Sequence, residues 1–229
     1  MNKTTIRVIY LAVILFIIGM WYYGAKIIQD HQPRPSGLGY YSQDTFHAEE
    51  YQVRDFEMNN QYHEKINRRI FENKIWVADF FFTTCEGICP IMSSNLTIVQ
   101  DSFRSDTNVL ILSHTVDPDY DTEAILKSYA DRHGAIQDKW HFVTGDKATI
   151  YDLARTSYFS ATPKDTSYGE DFVHSQLIAL IDPHLHIRGY YDGTNQRDIY
   201  KLIRDIRRLE AEYDMDGRPH VKNIFSDLF

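Results

Sequence analysis

The residues in this chain most able to do chemistry are its two cysteines, Cys85 and Cys89, which stand four positions apart. They follow the apolar run Phe80-Phe81-Phe82 and precede Pro90, so they lie where a predicted strand leads into a predicted helix. A thiol at a helix N-terminus faces unpaired N–H groups and the positive end of the helix dipole, which lowers its pKa. The resulting thiolate can attack a disulfide or bind a soft metal ion.

A static structural disulfide is the third interpretation of the pair, since disulfides persist in oxidising compartments. A bridge between Cys85 and Cys89 would close a very short loop and would stabilise the fold little. We therefore favour a reactive pair, used either for reversible disulfide chemistry or as part of a metal site. In the redox case Cys85, in the loop, is the exposed nucleophile, and Cys89 resolves the mixed disulfide.

The elements around the cysteines alternate between strands and helices. A weak strand pair is predicted at 51–56 and 61–66, and stronger strands are predicted at 75–82, 109–112, 141–143, 177–181 and 187–191. Helices are predicted from near Cys89, from Asp121 or Thr122 to Gly134, from a cap at Asp146 to about Arg155, and from Thr194 onward. This order predicts an α/β fold, a three-layer sandwich with a mixed central sheet of the thioredoxin-like kind.

The N-terminus carries a candidate membrane anchor. Val8 to Ala25 is uncharged and mostly apolar, with Lys3 and Arg7 before it and Lys26 after it. Eighteen such residues can just span a bilayer, and the basic flank predicts a cytoplasmic N-terminus. We expect a single-pass transmembrane helix in the cell inner membrane with a periplasmic soluble domain. A cleaved signal peptide is disfavoured by the bulky residues 20–23, where small residues would be wanted.

The remaining organisation follows from composition. We expect an anchor at 1–26, a linker rich in proline, glycine and polar residues at 27–49, one domain at 50–213 and a tail at 214–229. The chain has 24 basic and 32 acidic residues, and three of the basic ones precede residue 27, so the rest carries a net charge of about −11. An acidic domain argues against a nucleic-acid partner, because phosphate binding relies on Lys and Arg.

Several segments together resemble the Sco/SenC family of membrane-anchored, thioredoxin-like copper proteins. They are residues 77–85, the Cys89-Pro90-Ile91-Met92 segment, Val116-Asp117-Pro118 and His174-Ser175, and the resemblance covers roughly residues 50 to 212. It implies that Cys85, Cys89 and His174 are copper ligands. Two soft thiolates suit Cu(I), and an added imidazole lets the site hold Cu(II) as well.

Asp79 lies six residues before Cys85, the same offset as the buried carboxylate of thioredoxins. It is a candidate proton acceptor for Cys89, or else a hydrogen-bonded residue with a packing role. Asp117 and Asp121 are expected to shape a turn and a helix cap. Trp140 and Phe142 are expected in the core.

Other histidines and the surroundings of His174 leave questions open. Val173 precedes His174 where Sco-like proteins often carry an acid that would orient the imidazole, and Asp171 is the nearest acid in this chain. His184 and His186 are expected at the surface rather than at copper. His114, at the end of a predicted strand, could point toward the edge of the site.

Two functions compete at this stage. The first is a copper chaperone that delivers its ion to a respiratory cytochrome c oxidase, the partner that the resemblance implies. The second is an extracytoplasmic thiol-disulfide oxidoreductase that reduces cysteine pairs of copper-site proteins. Another copper carrier or a thiol reductase is a further expected partner, and the protein is expected to be a monomer or weak dimer.

Overall fold

The computed structural model describes residues 14, 16–22, 38–40, 51–158 and 176–215. The chain divides into two units, Met1–Arg34 and Pro35–Phe229. In the first unit, residues 14 and 16–22 are helical and exposed. Within the described part of the chain, no helix combines the length and the apolar character needed to cross a membrane. Most of the predicted anchor and linker, and nearly all of the tail, lie outside the described residues.

One sheet organises the second unit. Seven strands of the described residues form it in the order β2-β1-β5-β4-β3-β6-β7. Strands β3, β4 and β5 are parallel, whereas β6, β7, β1 and β2 pair antiparallel with their neighbours. The predicted mixed sheet is therefore confirmed. The strands are β1 Glu57–Asn60, β2 Lys65–Asn67, β3 Ile75–Phe81, β4 Val109–Thr115, β5 Trp140–Thr144, β6 Leu177–Ile181 and β7 Ile187–Asp192.

The predicted strand pair at 51–66 begins later than expected. The backbone N–H of Val53 donates to the carbonyl of Leu185 at 2.9 Å, so this segment is tied to the turn between β6 and β7 and joins no strand ladder. The Asn60 side chain then closes the hairpin, because its oxygen accepts the N–H groups of Tyr62 and Glu64. Strand pairing thus starts where the chain can turn back on itself.

The second unit has four α-helices among its described residues, and they begin close to the predicted positions. They are α1 Ile88–Ser102, α2 Glu123–Arg132, α3 Lys147–Asp152 and α4 Gln196–Glu212, and a wider helical turn at Leu153–Ser157 continues α3. The caps are Thr122 for α2 and Asp146 for α3, both within the predicted choices. Asn195, not Thr194, caps α4, because the Thr194 hydroxyl donates to Asp192 instead.

Side chains alternate across β3 and so divide the core in two. Ile75, Val77 and Phe81 pack with residues of α1, α2 and α4, whereas Trp76 and Phe80 pack with residues of α3 on the other face. The predicted three-layer sandwich is therefore confirmed. Trp140 and Phe142 are both fully buried, as predicted. Asp79 shares the odd-numbered face of β3 and thus lies on the side that α1 covers.

Candidate metal centre

The two cysteines stand at the junction of β3 and α1. Strand β3 ends at Phe81, and helix α1 begins at Ile88, with Gly87 as the residue before its first turn. The Cys85 N–H donates to the Phe82 carbonyl at 3.2 Å, which makes a tight turn at the loop. Cys85 is half-buried and Cys89 is 3% exposed, and both are free thiols joined by a hydrogen bond. The predicted placement at a helix start is confirmed.

The pKa values of the two thiols move in opposite directions. Burial acts to raise the pKa of Cys85, but hydrogen bonds from the Cys89 thiol and from backbone N–H groups at the start of α1 outweigh it and lower the pKa. Burial raises the pKa of Cys89, and its hydrogen bond to Cys85 and the nearby Asp79 charge raise it further. Cys85 is therefore the first thiol to become a thiolate.

Asp79 lies beneath the cysteine loop on the α1 side of the sheet. It is 1% exposed, and the Ser113 hydroxyl donates to its Oδ1 at 2.5 Å. The indole N–H of Trp140 donates in turn to the Ser113 oxygen at 2.9 Å. Among the described residues, Asp79 Oδ2 has no hydrogen-bond partner. Burial raises the pKa of Asp79 to about 7, despite the opposing Ser113 hydrogen bond, so this carboxyl can exchange a proton near neutral pH.

Because the pKa of Asp79 is raised in the folded chain, we expect this residue to make stability depend on pH. Between about pH 4, its ordinary pKa, and about pH 7, the folded chain holds this proton more tightly than the unfolded chain does. The contribution of Asp79 to the free energy of unfolding should therefore fall as the pH rises through this range. We expect Asp79→Asn, which cannot ionise, to be more stable than the wild type at pH 8 by about 2–4 kcal/mol, measured by urea unfolding.

The comparison of the wild type with Asp79→Asn isolates the contribution of Asp79 to the pH dependence of stability. His114 also titrates differently after folding, since burial lowers its pKa to about 4, but it is present in both proteins. Asp101→Asn, at an exposed carboxylate on α1, serves as the control and should leave the pH profile unchanged. An Asp79→Asn advantage that is equal at pH 5 and pH 8 would contradict the assignment.

Asp121 holds the cysteine loop against the neighbouring strand. Its buried carboxylate accepts the Thr83 backbone N–H at 3.1 Å and the hydroxyl groups of Thr83 and Thr115. The prediction that Asp121 caps a helix was therefore wrong, because Thr122 is the cap. The turn was correctly predicted, since the Asp117 carbonyl accepts the N–H groups of Tyr120 and Asp121. The contact of Asp121 with the cysteine loop could have been expected from the strand order, because the carboxyl ends of the parallel strands β3 and β4 meet at one edge of the sheet.

The structure does not place any of the candidate histidines that it describes beside the cysteine pair. His174, Val173 and Asp171 lie outside the described residues. His114 is fully buried on the face opposite Asp79 and stacks on Phe80 with ring centroids 4.8 Å apart, so the idea that it points toward the site was wrong. His184 is exposed and His186 half-buried in the turn between β6 and β7. Within the described part of the chain, no three His, Cys, Asp or Glu side chains are grouped to hold a metal ion.

The start of β6 lies at the same end of the sheet as the cysteine loop. Strand β6 runs antiparallel to β3, with Trp76 opposite Ile181 and Ala78 opposite Ala179. The beginning of β6 is therefore beside the end of β3, from which the cysteine loop departs. The turn that carries His184 and His186 is consequently at the opposite end of the sheet.

Comparison with known proteins gives a consistent picture. Residues 45–210 match the family described as SCO1/SenC. The chain is 30% identical over 159 residues to the SCO1 protein homolog of Bacillus subtilis strain 168, a match that covers 69% of this chain and 82% of that protein.

Two solved structures show the same thioredoxin-like fold. One is BsSco, a member of the Sco family of cytochrome c oxidase assembly proteins that has a disulfide switch. The TM-score is 0.60 at 28% identity, covering 69% of this chain and 93% of that one. Copper-bound ScoI of Bradyrhizobium japonicum has a TM-score of 0.54 and 22% identity, covering 67% of this chain and 98% of that one.

Proposed function

The chain belongs to the SCO1/SenC family, and from this premise we propose that it is a copper chaperone for a respiratory cytochrome c oxidase. The observation that carries the proposal is the free pair of Cys85 and Cys89, in which Cys85 has a lowered pKa. Soft thiolates select Cu(I) over harder divalent ions. Copper is the cargo of this protein, as it is the bound ion in the Bradyrhizobium relative, and BsSco supports the oxidase as the recipient.

The proposed ligand set is Cys85, Cys89 and His174. The third ligand, His174, is assigned from the sequence, where it stands two positions before Gln176. The position of β6 supports it, since this strand starts beside the end of β3 that leads to the cysteines. With the imidazole, the site also accommodates Cu(II), and the protein can hold copper in both oxidation states.

The proposed setting is the outer face of the inner membrane. Residues 8–25 are the single-pass anchor, with the basic flank in the cytoplasm and the copper domain in the periplasm. The charge pattern of the sequence supports this topology. An anchored chaperone stays close to a membrane-bound oxidase, which raises its effective concentration there.

A second function follows from the opposite pKa shifts of the two thiols. In a thiol-disulfide oxidoreductase, the Cys85 thiolate attacks a disulfide of a copper-site protein and releases one partner thiolate. Cys89 then loses its proton, to Asp79 in our proposal, and attacks Cys85, which releases the second partner thiol. The partner gains two electrons, and Cys85 and Cys89 end as a disulfide. The two functions are compatible, because copper binding requires the reduced pair.

Copper titration of the full chain in its reduced and disulfide forms tests the proposed function. We expect the reduced chain to bind a single Cu(I) ion tightly and the disulfide form to bind none, because oxidation removes both thiolates. Competition with a Cu(I) chelator measures the affinity, and Zn²⁺ serves as the comparison ion. Equal copper binding by the two forms would reject a thiolate site, and an absence of binding by the reduced form would reject the chaperone.

A further inference from the structure

A chain of hydrogen bonds joins helix α1 to the residue that precedes β6. The Asn95 side-chain amide donates to the Gly193 carbonyl at 2.8 Å. The Gly193 N–H donates in turn to the Gln176 carbonyl at 2.7 Å. Gly193 lies in the turn between β7 and α4, so this turn connects α1 to the entry of β6. We call Asn95, Gly193 and Gln176 the brace.

The brace is closely packed as well as hydrogen-bonded. A Cβ atom on Gly193 would lie 3.0 Å from the Met92 methyl carbon and 3.1 Å from the Gln176 carbonyl oxygen. The turn therefore touches α1 and Gln176 at the same point, and a side chain at residue 193 would require these neighbours to shift by a few tenths of an ångström. The Gln176 side-chain amide also donates to the Asp192 carboxylate at 3.0 Å. Both the backbone and the side chain of Gln176 are thus held by this turn.

The two ends of the brace belong to the two chain segments that carry the proposed copper ligands. Asn95 is on the same helix as Cys89, six residues further on, or about 9 Å along the axis. Gln176 follows His174 by two residues, which is at most about 7 Å of chain. These segments are far apart in sequence and meet through the Gly193 turn. Movement of α1 relative to the entry of β6 would therefore move the thiols relative to Gln176, the residue from which the chain leads back to His174.

We propose that Asn95, Gly193 and Gln176 are positioning residues of the copper site, because they hold the cysteine helix and the entry of β6, two residues after His174, at a set separation. This proposal rests on the proposed function, in which His174 completes the site. Cu(I) is held by two thiolates alone, whereas Cu(II) also requires the imidazole. The brace should therefore matter for Cu(II) and much less for Cu(I).

The test is Asn95→Ala in the full chain, titrated with Cu(II) and with Cu(I). Groups that orient metal ligands contribute about 10–100-fold to metal affinity, so we expect Cu(II) binding to weaken by about 10-fold or more. Cu(I) binding should change by less than about 3-fold, since it does not depend on the brace. The thiolate-to-Cu(II) absorption band and the electron paramagnetic resonance spectrum should shift, which a purely structural loss of stability would not produce.

Gln100→Ala is the matched control. Gln100 is on the same helix, and its amide donates to the Gly134 carbonyl at 3.0 Å and accepts the Ile136 N–H at 2.8 Å. It thus ties α1 to the loop before β5 rather than to β6. We expect this variant to lower stability and to leave the Cu(II) spectrum unchanged. Gly193→Ala, whose new methyl group would press on Gln176, should reproduce the Asn95→Ala spectrum even if the latter variant folds poorly.

The double variant with His174→Ala separates this proposal from the function on which it rests. In His174→Ala the Asn95→Ala substitution should have no further effect on Cu(II) binding, because the positioned ligand is gone. An unchanged Cu(II) affinity and spectrum in both Asn95→Ala and Gly193→Ala would overturn the brace, as would an effect that persists without His174. Normal copper binding by His174→Ala itself would instead reject the ligand set.

Discussion

His174→Ala should weaken Cu(II) binding by about 100-fold or more, because the imidazole is the only nitrogen ligand of the proposed set. Cu(I) binding should weaken less, since both thiolates remain. The reduction potential of the Cys85–Cys89 pair should change little, because the thiols keep their hydrogen bonds at the start of α1. Chelator competition for both copper oxidation states and a redox titration with glutathione measure these three quantities.

His184→Ala is the control for the loss of a histidine. This residue is exposed in the turn between β6 and β7, at the end of the sheet opposite the cysteine loop. Its removal should leave Cu(II) and Cu(I) affinity unchanged. If instead His174→Ala binds both ions as the wild type does, the third ligand is another group and the site must be reassigned.

The single cysteine variants should both lose tight Cu(I) binding but should differ in thiol reactivity. Cys89→Ser leaves Cys85, whose pKa is lowered by a hydrogen bond from the side chain of residue 89, which a serine hydroxyl can still donate, and by the backbone N–H groups at the start of α1. Cys85→Ser leaves Cys89, whose pKa is raised by burial. One pKa unit changes the thiolate fraction tenfold, so iodoacetamide at pH 7 should alkylate Cys89→Ser at least about 10-fold faster than Cys85→Ser.

The same variants decide whether the pair also acts as a reductase. Cys89→Ser should trap a mixed disulfide with an oxidised dithiol peptide, because the resolving thiol is missing. Cys85→Ser should form none at a comparable rate. Ser94→Ala, at an exposed hydroxyl that donates to the Pro90 carbonyl within α1, serves as the control for local disturbance. Equal alkylation rates for the two cysteine variants would contradict the assignment of Cys85 as nucleophile.

Much of the fold was predictable because its signals are local. The apolar run before Cys85 predicted a strand covered on both faces, and β3 is buried at every position. Pro90 predicted a helix start, since proline is tolerated in a first turn, and α1 begins at Ile88. The weak strand pair was misplaced because the chain before Glu57 bonds outside the hairpin: the Val53 N–H donates to the distant Leu185 carbonyl, a contact that no local pattern reveals.

The sequence by itself therefore determined the alternation of strands and helices, the position of the thiols at a helix start and the family resemblance. Only the tertiary structure decided which distant residues support the loop. Asp121 reaches Thr83 across 38 residues, and Asn95 reaches Gly193 across 98. Such contacts depend on strand order and register. The pleat likewise directs Ser113 toward Asp79 and its neighbour His114 to the opposite face, because successive side chains alternate across a strand.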